Sequence, residues 1–98
     1  MNSVAFLARF EAKPGKEAEV AKFLEIALDM AKKEPTTIHW YALRLSHSTF
    51  GVFDTFNDED GRQGHLNGPI GLALMAKAPG LFSSPPSIEP VEVLGSKN

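Results

Sequence analysis

Residues 36–56, TTIHWYALRLSHSTFGVFDTF, decide the fold of this chain. Its two halves, Thr36–Ser46 and Thr49–Phe56, are dominated by β-branched and aromatic residues, which favour extended structure. The link between them, Ser46-His47-Ser48, is polar and too short for anything but a tight turn. The segment therefore predicts an antiparallel β-hairpin.

A strand and a long helix precede the hairpin. Val4–Glu11 is an apolar, alternating run that ends at Lys13-Pro14-Gly15, and it predicts the first strand. From Lys16 to Lys33 the period becomes that of an amphipathic helix, which Glu34-Pro35 ends because a residue before proline leaves the α region. The expected apolar side comprises Val20, Phe23, Leu24, Ala27, Leu28 and Ala31.

A broken helix and a last strand follow the hairpin. Asn57-Asp58-Glu59-Asp60 has the capping and acidic residues of a helix start. The glycines and Pro69 that follow exclude one straight helix over Asp58–Lys77 and predict a break near Gly68, with Pro69 opening a second piece. Pro79-Gly80 is expected to stop that piece. Ile88–Leu94 then predicts a final strand, in which Pro90 marks an edge or a bulge.

This order of elements predicts an α+β, ferredoxin-like βαββαβ fold. The right-handed crossover rule places both helices on one face of a four-stranded antiparallel sheet. The strands are apolar on both parities, with Trp40 on one and Tyr41 on the other, so the second face also needs a cover. A second copy stacked across a two-fold axis is the simplest cover and predicts a homodimer. The alternative is that the last strand, a loop or the tail folds over that face.

Length and composition narrow the classes of function. The chain has 98 residues, enough for a single domain, 1–98. Its net charge is −2 and its basic residues are scattered, so no nucleic-acid partner is expected. No cysteine is present, which excludes disulfides and thiolate metal sites and fits a cytoplasmic location. No apolar run approaches the roughly 20 residues that span a bilayer, so no membrane partner is expected.

The stretch Phe53–Pro69, FDTFNDEDGRQGHLNGP, resembles the antibiotic biosynthesis monooxygenase family, in the quinol-monooxygenase-like branch of the dimeric α+β barrels. With the flanking elements, the resemblance covers about residues 3–94. It implies a homodimer with a pocket between helices and sheet in each subunit. It also implies a small aromatic or quinol-type substrate and a monooxygenase reaction that uses no bound cofactor.

The resemblance also points to individual site residues. His65 matches the histidine of the family's helix motif and suits a general base for a phenolic proton, although it could instead satisfy the broken helix. Trp40 and Asn67 are candidate hydrogen-bond donors, with a core role and a helix cap as their alternatives. The expected pocket residues are Phe23, Phe53, Leu66, Ile70 and Leu74.

Other functions remain open at this point. One is a non-catalytic dimeric module that binds a hydrophobic metabolite, and another is an isomerase or lactone-handling enzyme of the same superfamily. No metal is expected, because His39, His47 and His65 lack the spacing that brings ligands together. Haem is a weak alternative, because related haem-degrading enzymes need an axial histidine where this chain has Leu74-Met75-Ala76.

Overall fold

Four strands form one antiparallel sheet whose two faces are unlike. The computed structural model describes residues 4–98, so residues 1–3 of the expected domain lie outside the described part. The elements are β1 (Val4–Glu11), α1 (Glu17–Ala31), β2 (Thr37–Arg44), β3 (Thr49–Phe56), α2 (Glu59–Leu66), α3 (Pro69–Leu81) and β4 (Ser87–Glu92). The strand order is β2-β3-β1-β4, with every neighbouring pair antiparallel. The predicted ferredoxin-like βαββαβ fold is confirmed.

The strand register sorts the side chains onto the two faces. Phe6 is opposite Asp54 in the β1–β3 pairing, and Trp40 is opposite Asp54 in the β2–β3 pairing, so these three share the face that the helices cover. Large apolar side chains from this face and from α1 and α3 form the main core: Phe10, Val20, Phe23, Leu24, Phe50, Val52, Leu74, Leu81 and Phe82. Burying each is worth roughly 1.5–3 kcal/mol, which fixes the helices against the sheet.

The predicted break in the second helical region is present at Gly68. The Asp58 carboxylate caps α2 by accepting a hydrogen bond from the Gly61 N–H at 2.8 Å. After α2 ends at Leu66, Pro69 opens α3, where its fixed φ and missing N–H cost nothing. The break lets α2 and α3 approach the sheet separately.

The expected stop at Pro79-Gly80 is wrong, because α3 continues to Leu81 with Pro79 inside its last turn. Two contacts hold this end in place. Leu81 and the following Phe82 are buried in the core, and the Lys13 ammonium donates to the Pro79 carbonyl at 2.6 Å. Core packing therefore outweighs the local cost of the proline.

Strand β4 lies at an edge of the sheet. A proline such as Pro90 is tolerated in an edge strand, because one side of that strand has no neighbouring strand to bond with. It ends at Glu92, two residues before the expected Leu94, and the Leu94 side chain is 93% exposed. No helix within residues 4–98 combines the length and the apolar character needed to cross a bilayer.

The outer face of the sheet is apolar and exposed. Tyr41 is 52% exposed and Leu45 46% exposed, and the neighbouring Leu7, Leu43 and Phe53 are only partly buried. Within the described chain no helix packs on this face, because the helical core residues all meet the opposite one. Trp40 and Tyr41 thus point to different faces, as their alternation predicts.

Candidate functional site

A small cavity lies between the helices and the inner face of the sheet. Its volume is about 50 Å³. That is room for a few water molecules, each needing roughly 10–15 Å³ on this measure, and far below the ~300–1,000 Å³ of typical ligand pockets. Its lining is apolar apart from Asp54, His65 and the indole nitrogen of Trp40. The polar groups are thus concentrated at one place in a hydrophobic wall.

His65 bridges the buried carboxylate of Asp54 and the partly buried carboxylate of Glu34. Its Nδ1 lies 2.5 Å from Glu34 Oε2, and its Nε2 lies 2.9 Å from Asp54 Oδ2. The side chains of His65 and Asp54 are only 9% and 3% exposed. The imidazole also packs against Phe56, with ring centroids 5.0 Å apart. Both ring nitrogens are therefore occupied, in a place that excludes most water.

Three separate elements contribute to this cluster. Glu34 lies in the connection between α1, which ends at Ala31, and β2. Its Oε2 also accepts a hydrogen bond from the Thr37 hydroxyl at 2.8 Å. Asp54 comes from the inner face of β3, and His65 from the last turn of α2. The cluster thus ties the α1–β2 connection to the centre of the sheet through one side chain of α2.

The surroundings of His65 favour the imidazolium. Burial lowers the pKa of His65, but hydrogen bonds to Asp54 and Glu34, together with their charges, raise it more, and the net shift is upward. Both N–H groups then donate to carboxylates, which makes the hydrogen bonds charge-assisted. In this geometry both nitrogens of His65 already contact acid side chains. The expected role of His65 as general base stays a prediction.

Three buried polar atoms lack a partner among residues 4–98: Glu34 Oε1, Asp54 Oδ1 and Trp40 Nε1. Buried polar groups are nearly always hydrogen-bonded, so such atoms call for an explanation. Asp54 and Trp40 both line the cavity and are direct partners across β2 and β3. An unused acceptor and an unused donor therefore belong to neighbouring side chains that both line the cavity.

Most residues expected at the site line this one cavity, and two do not. The cavity brings together His65, Trp40, Phe23, Leu66, Ile70 and Leu74. Phe53 does not line it, because it alternates with Val52 and Asp54 and so belongs to the outer face. Asn67 does not line it either: it is exposed at the end of α2, where its side-chain amide donates to the Gln63 carbonyl at 3.1 Å. Those two placements correct the expectation.

Glu34 and Asp54 were missed as site residues. Asp54 had a readable signal, because it is the only charged residue in the strand TFGVFDTF, where it directly follows Phe53. A charged side chain on a buried strand needs a hydrogen-bonding or oppositely charged partner. Glu34 had none, because its place before Pro35 marks only a helix end, and its contact with His65 spans 31 positions.

The described residues also bear on metal and haem. Within residues 4–98 no group of three or more histidine and acidic side chains is arranged to hold a metal ion. Both nitrogens of His65 are already bound to carboxylates, so neither can serve as a ligand without breaking the cluster. In the stretch where a haem-binding histidine would lie, Leu74 lines the cavity and Met75 is 59% exposed. These residues do not fit a haem.

Comparison with known proteins gives a relative with high sequence identity over nearly all of both chains. The NE2512 protein of Nitrosomonas europaea, described as a protein of unknown function, is 56% identical, with 100% of this chain and 95% of that chain covered and a TM-score of 0.96. No protein-family model matches the chain, and no curated protein matches it.

Two more distant structures share the fold. A proposed antibiotic biosynthesis monooxygenase from Caulobacter crescentus is 20% identical, with a TM-score of 0.79 over 96% of this chain and 92% of that one. Another from Nitrosomonas europaea is 10% identical, with a TM-score of 0.84 over 95% and 91%. The resemblance noted in the sequence is thus confirmed at the level of the fold. The chain belongs to the same family as NE2512 and has the α+β fold of the antibiotic biosynthesis monooxygenases.

Proposed function

We propose that this protein is an oxygenase that acts on a small aromatic phenol or quinol held in the cavity beside His65, without a bound cofactor. One observation carries the proposal: a buried ion cluster, Glu34–His65–Asp54, presents an unpaired carboxylate oxygen in an otherwise apolar cavity. Titratable groups with a perturbed pKa in a cavity are a frequent mark of a reactive site.

The chemistry starts with removal of the phenolic proton. An aromatic anion can give one electron to O₂, whereas the neutral phenol does so slowly. A hydroquinone then gains one oxygen atom from O₂ and becomes a hydroxyquinone, while the second oxygen atom leaves as water. Four electrons pass from substrate to O₂, so no other reductant is needed. The protein has to supply a dry cavity, a proton acceptor and a donor for the anion.

The size of the cavity sets a condition on this proposal. A volume of about 50 Å³ does not admit an aromatic ring, so a wall must move when substrate enters. Leu24 and Trp40 form the wall between the cavity and a groove of about 400 Å³ that lies along α1 and β2. A shift of that wall would join the two spaces into one of ordinary ligand size.

Oxygen uptake with a panel of hydroquinones and polycyclic phenols tests the reaction. We expect uptake with at least one of them, and we expect Asp54→Asn to lower its rate by about 10²–10⁴-fold, the usual contribution of a proton acceptor. Asp60→Asn is the matched control, because Asp60 is an exposed acid in the first turn of α2 and does not line the cavity. No uptake across the panel, or equal rates in the two variants, would contradict the proposal.

A specific observation favours a second candidate, a non-catalytic module that binds a hydrophobic metabolite. Both nitrogens of His65 are occupied and the cavity is small, which suits a structural cluster beside a binding site. For this function a phenolic ligand would raise the melting temperature of the protein, while no compound of the panel would consume oxygen.

We further propose that the protein works as a homodimer in which the outer sheet faces of two copies pack together. The support is the exposed apolar surface around Tyr41, Leu43 and Leu45, which a stacked sheet would bury. We expect sedimentation at micromolar concentration to give the mass of a dimer, and Tyr41→Lys to give a monomer. Leu72→Lys is the control, because Leu72 is 66% exposed on α3 and should leave the dimer intact. A monomeric wild-type protein would refute this arrangement.

A further inference from the structure

The polar groups of the cavity have hydrogen-bonding capacity that the protein itself does not use. Asp54 is 2% exposed, and its Oδ1 has no partner among residues 4–98. The same holds for the buried indole nitrogen of Trp40. Because the two residues are direct partners across β2 and β3, their side chains stand next to each other on the inner face. The cavity therefore combines one unused acceptor with one unused donor.

We propose that Asp54 and Trp40 form a subsite for a single neutral hydroxyl group, which in the proposed reaction is the hydroxyl of the substrate. A hydroxyl donates one hydrogen bond and accepts others, so it satisfies both atoms at once. Its O–H would donate to Asp54 Oδ1, and its oxygen would accept from the Trp40 N–H. This subsite rests on the proposed function in taking the cavity as the place where substrate binds.

Hydrogen-bonding type argues against other ligand groups. A carboxylate or phosphate would bring acceptor oxygens against Asp54 Oδ1, which is itself an acceptor without a donor. An ammonium group has only donors and would leave the Trp40 N–H unpaired. An ether or a plain hydrocarbon would leave the Asp54 oxygen unpaired. A neutral hydroxyl supplies both the donor for Asp54 Oδ1 and the acceptor for the Trp40 N–H.

The subsite also identifies the atom that takes the proton. The O–H bond of the substrate breaks, its electron pair stays on the substrate oxygen, and the proton bonds to Asp54 Oδ1. The total charge of substrate and cluster does not change, which matters in a cavity of low polarity. The Trp40 N–H then donates to the new anion. His65 acts as a positioning residue, because its N–H groups hold Asp54 and Glu34 in place.

Binding of phenol and anisole to the wild-type protein tests the subsite. The two compounds share a ring, but anisole has no O–H to donate. Since Trp40 is the only tryptophan, its single indole N–H resonance reports binding in ¹⁵N-labelled protein. We expect phenol to bind about tenfold more tightly than anisole, which corresponds to about 1.4 kcal/mol. We expect benzoate to produce no shift. Equal affinities for phenol and anisole, or binding of benzoate, would overturn the subsite.

Asp54→Asn provides the second measurement. The His65 N–H would hold the amide oxygen of the new side chain, so the amide NH₂ would face the ligand and the acceptor would be lost. Phenol should then lose its tenfold advantage over anisole. Asp60→Asn is the matched control, because Asp60 is an exposed acid in the first turn of α2, and it should retain the preference. A preference that survives Asp54→Asn would overturn the assignment to Asp54.

The outcomes separate this inference from the proposed reaction. If phenol is preferred over anisole but no hydroquinone consumes oxygen, the subsite stands and the oxygenase proposal fails. If a hydroquinone is oxygenated but phenol and anisole bind equally, the reaction stands and the subsite fails. If neither compound binds up to its solubility limit, both are overturned. The wild-type measurement decides between these cases even if Asp54→Asn does not fold.

Discussion

Replacing His65 by alanine should lower the free energy of unfolding by about 3–5 kcal/mol, because breaking a buried ion pair from one side leaves its charge uncompensated. Here one substitution removes the shared partner of two carboxylates, Glu34 and Asp54, whose side chains are 18% and 3% exposed. It also removes the ring that packs on Phe56. Urea unfolding followed by circular dichroism measures the loss as a fall in the midpoint at constant slope.

His47→Ala is the matched control for that experiment. His47 also faces a carboxylate, Glu17, but at 3.7 Å and with 84% of its side chain exposed. Exposed ion pairs contribute about 0–1 kcal/mol, so this variant should remain close to the wild type. If the two variants lose similar stability, the buried cluster is not what holds α2 to the sheet.

The same prediction has a pH signature. The pKa of His65 is raised in the folded protein, so the imidazolium is stabilised by folding. That contribution is fully present below the unfolded value of about 6.5, and it is lost as the pH rises through the higher folded value. The gap in stability between wild type and His65→Ala should therefore be larger below about pH 6.5 and should narrow as the pH rises above that value. A gap that widens with rising pH would reverse the assignment.

The architecture could be predicted because its signals are local. The alternation in Val4–Glu11 and the hairpin at Thr36–Phe56 are properties of adjacent residues, and so is the break at Gly68. The exception at Pro79 shows the limit of such signals. The helix passes through the proline because Leu81 and Phe82 are held by a core assembled from distant parts of the chain.

The site was harder to predict because its chemistry depends on which residues meet. His65 and Trp40 were singled out, and both line the cavity. The raised pKa of His65 could not be predicted, since it is caused by Asp54 and Glu34, which lie 11 and 31 positions away in the sequence. Phe53 was misplaced for a related reason: a strand residue changes face with every step, and only the register with β2 and β1 says which face meets the helices.

Gly71→Ala should destabilise the protein by about 1–3 kcal/mol, the usual cost of forcing extra atoms into a well-packed core. A Cβ at Gly71 would clash with the Leu66 carbonyl oxygen and lie 3.0 Å from the carbonyl carbon, at the place where α2 ends and α3 begins. No change of rotamer relieves this contact, because it is with backbone. The two helices would have to separate, and the cavity wall formed by Leu66, Ile70 and Gly71 would open with them.

Gly64→Ala isolates this steric effect from the general effect of removing a helical glycine. Gly64 lies inside α2, and a Cβ there would meet nothing within 4 Å. Alanine is favoured over glycine in a helix interior by roughly 0.5–1 kcal/mol, so this variant should be more stable than the wild type. Urea midpoints that move in opposite directions for the two variants would show that close approach of α2 and α3 requires Gly71. If Gly71→Ala is also more stable than the wild type, the helices have room to move apart and the close contact at Gly71 does not fix the cavity wall.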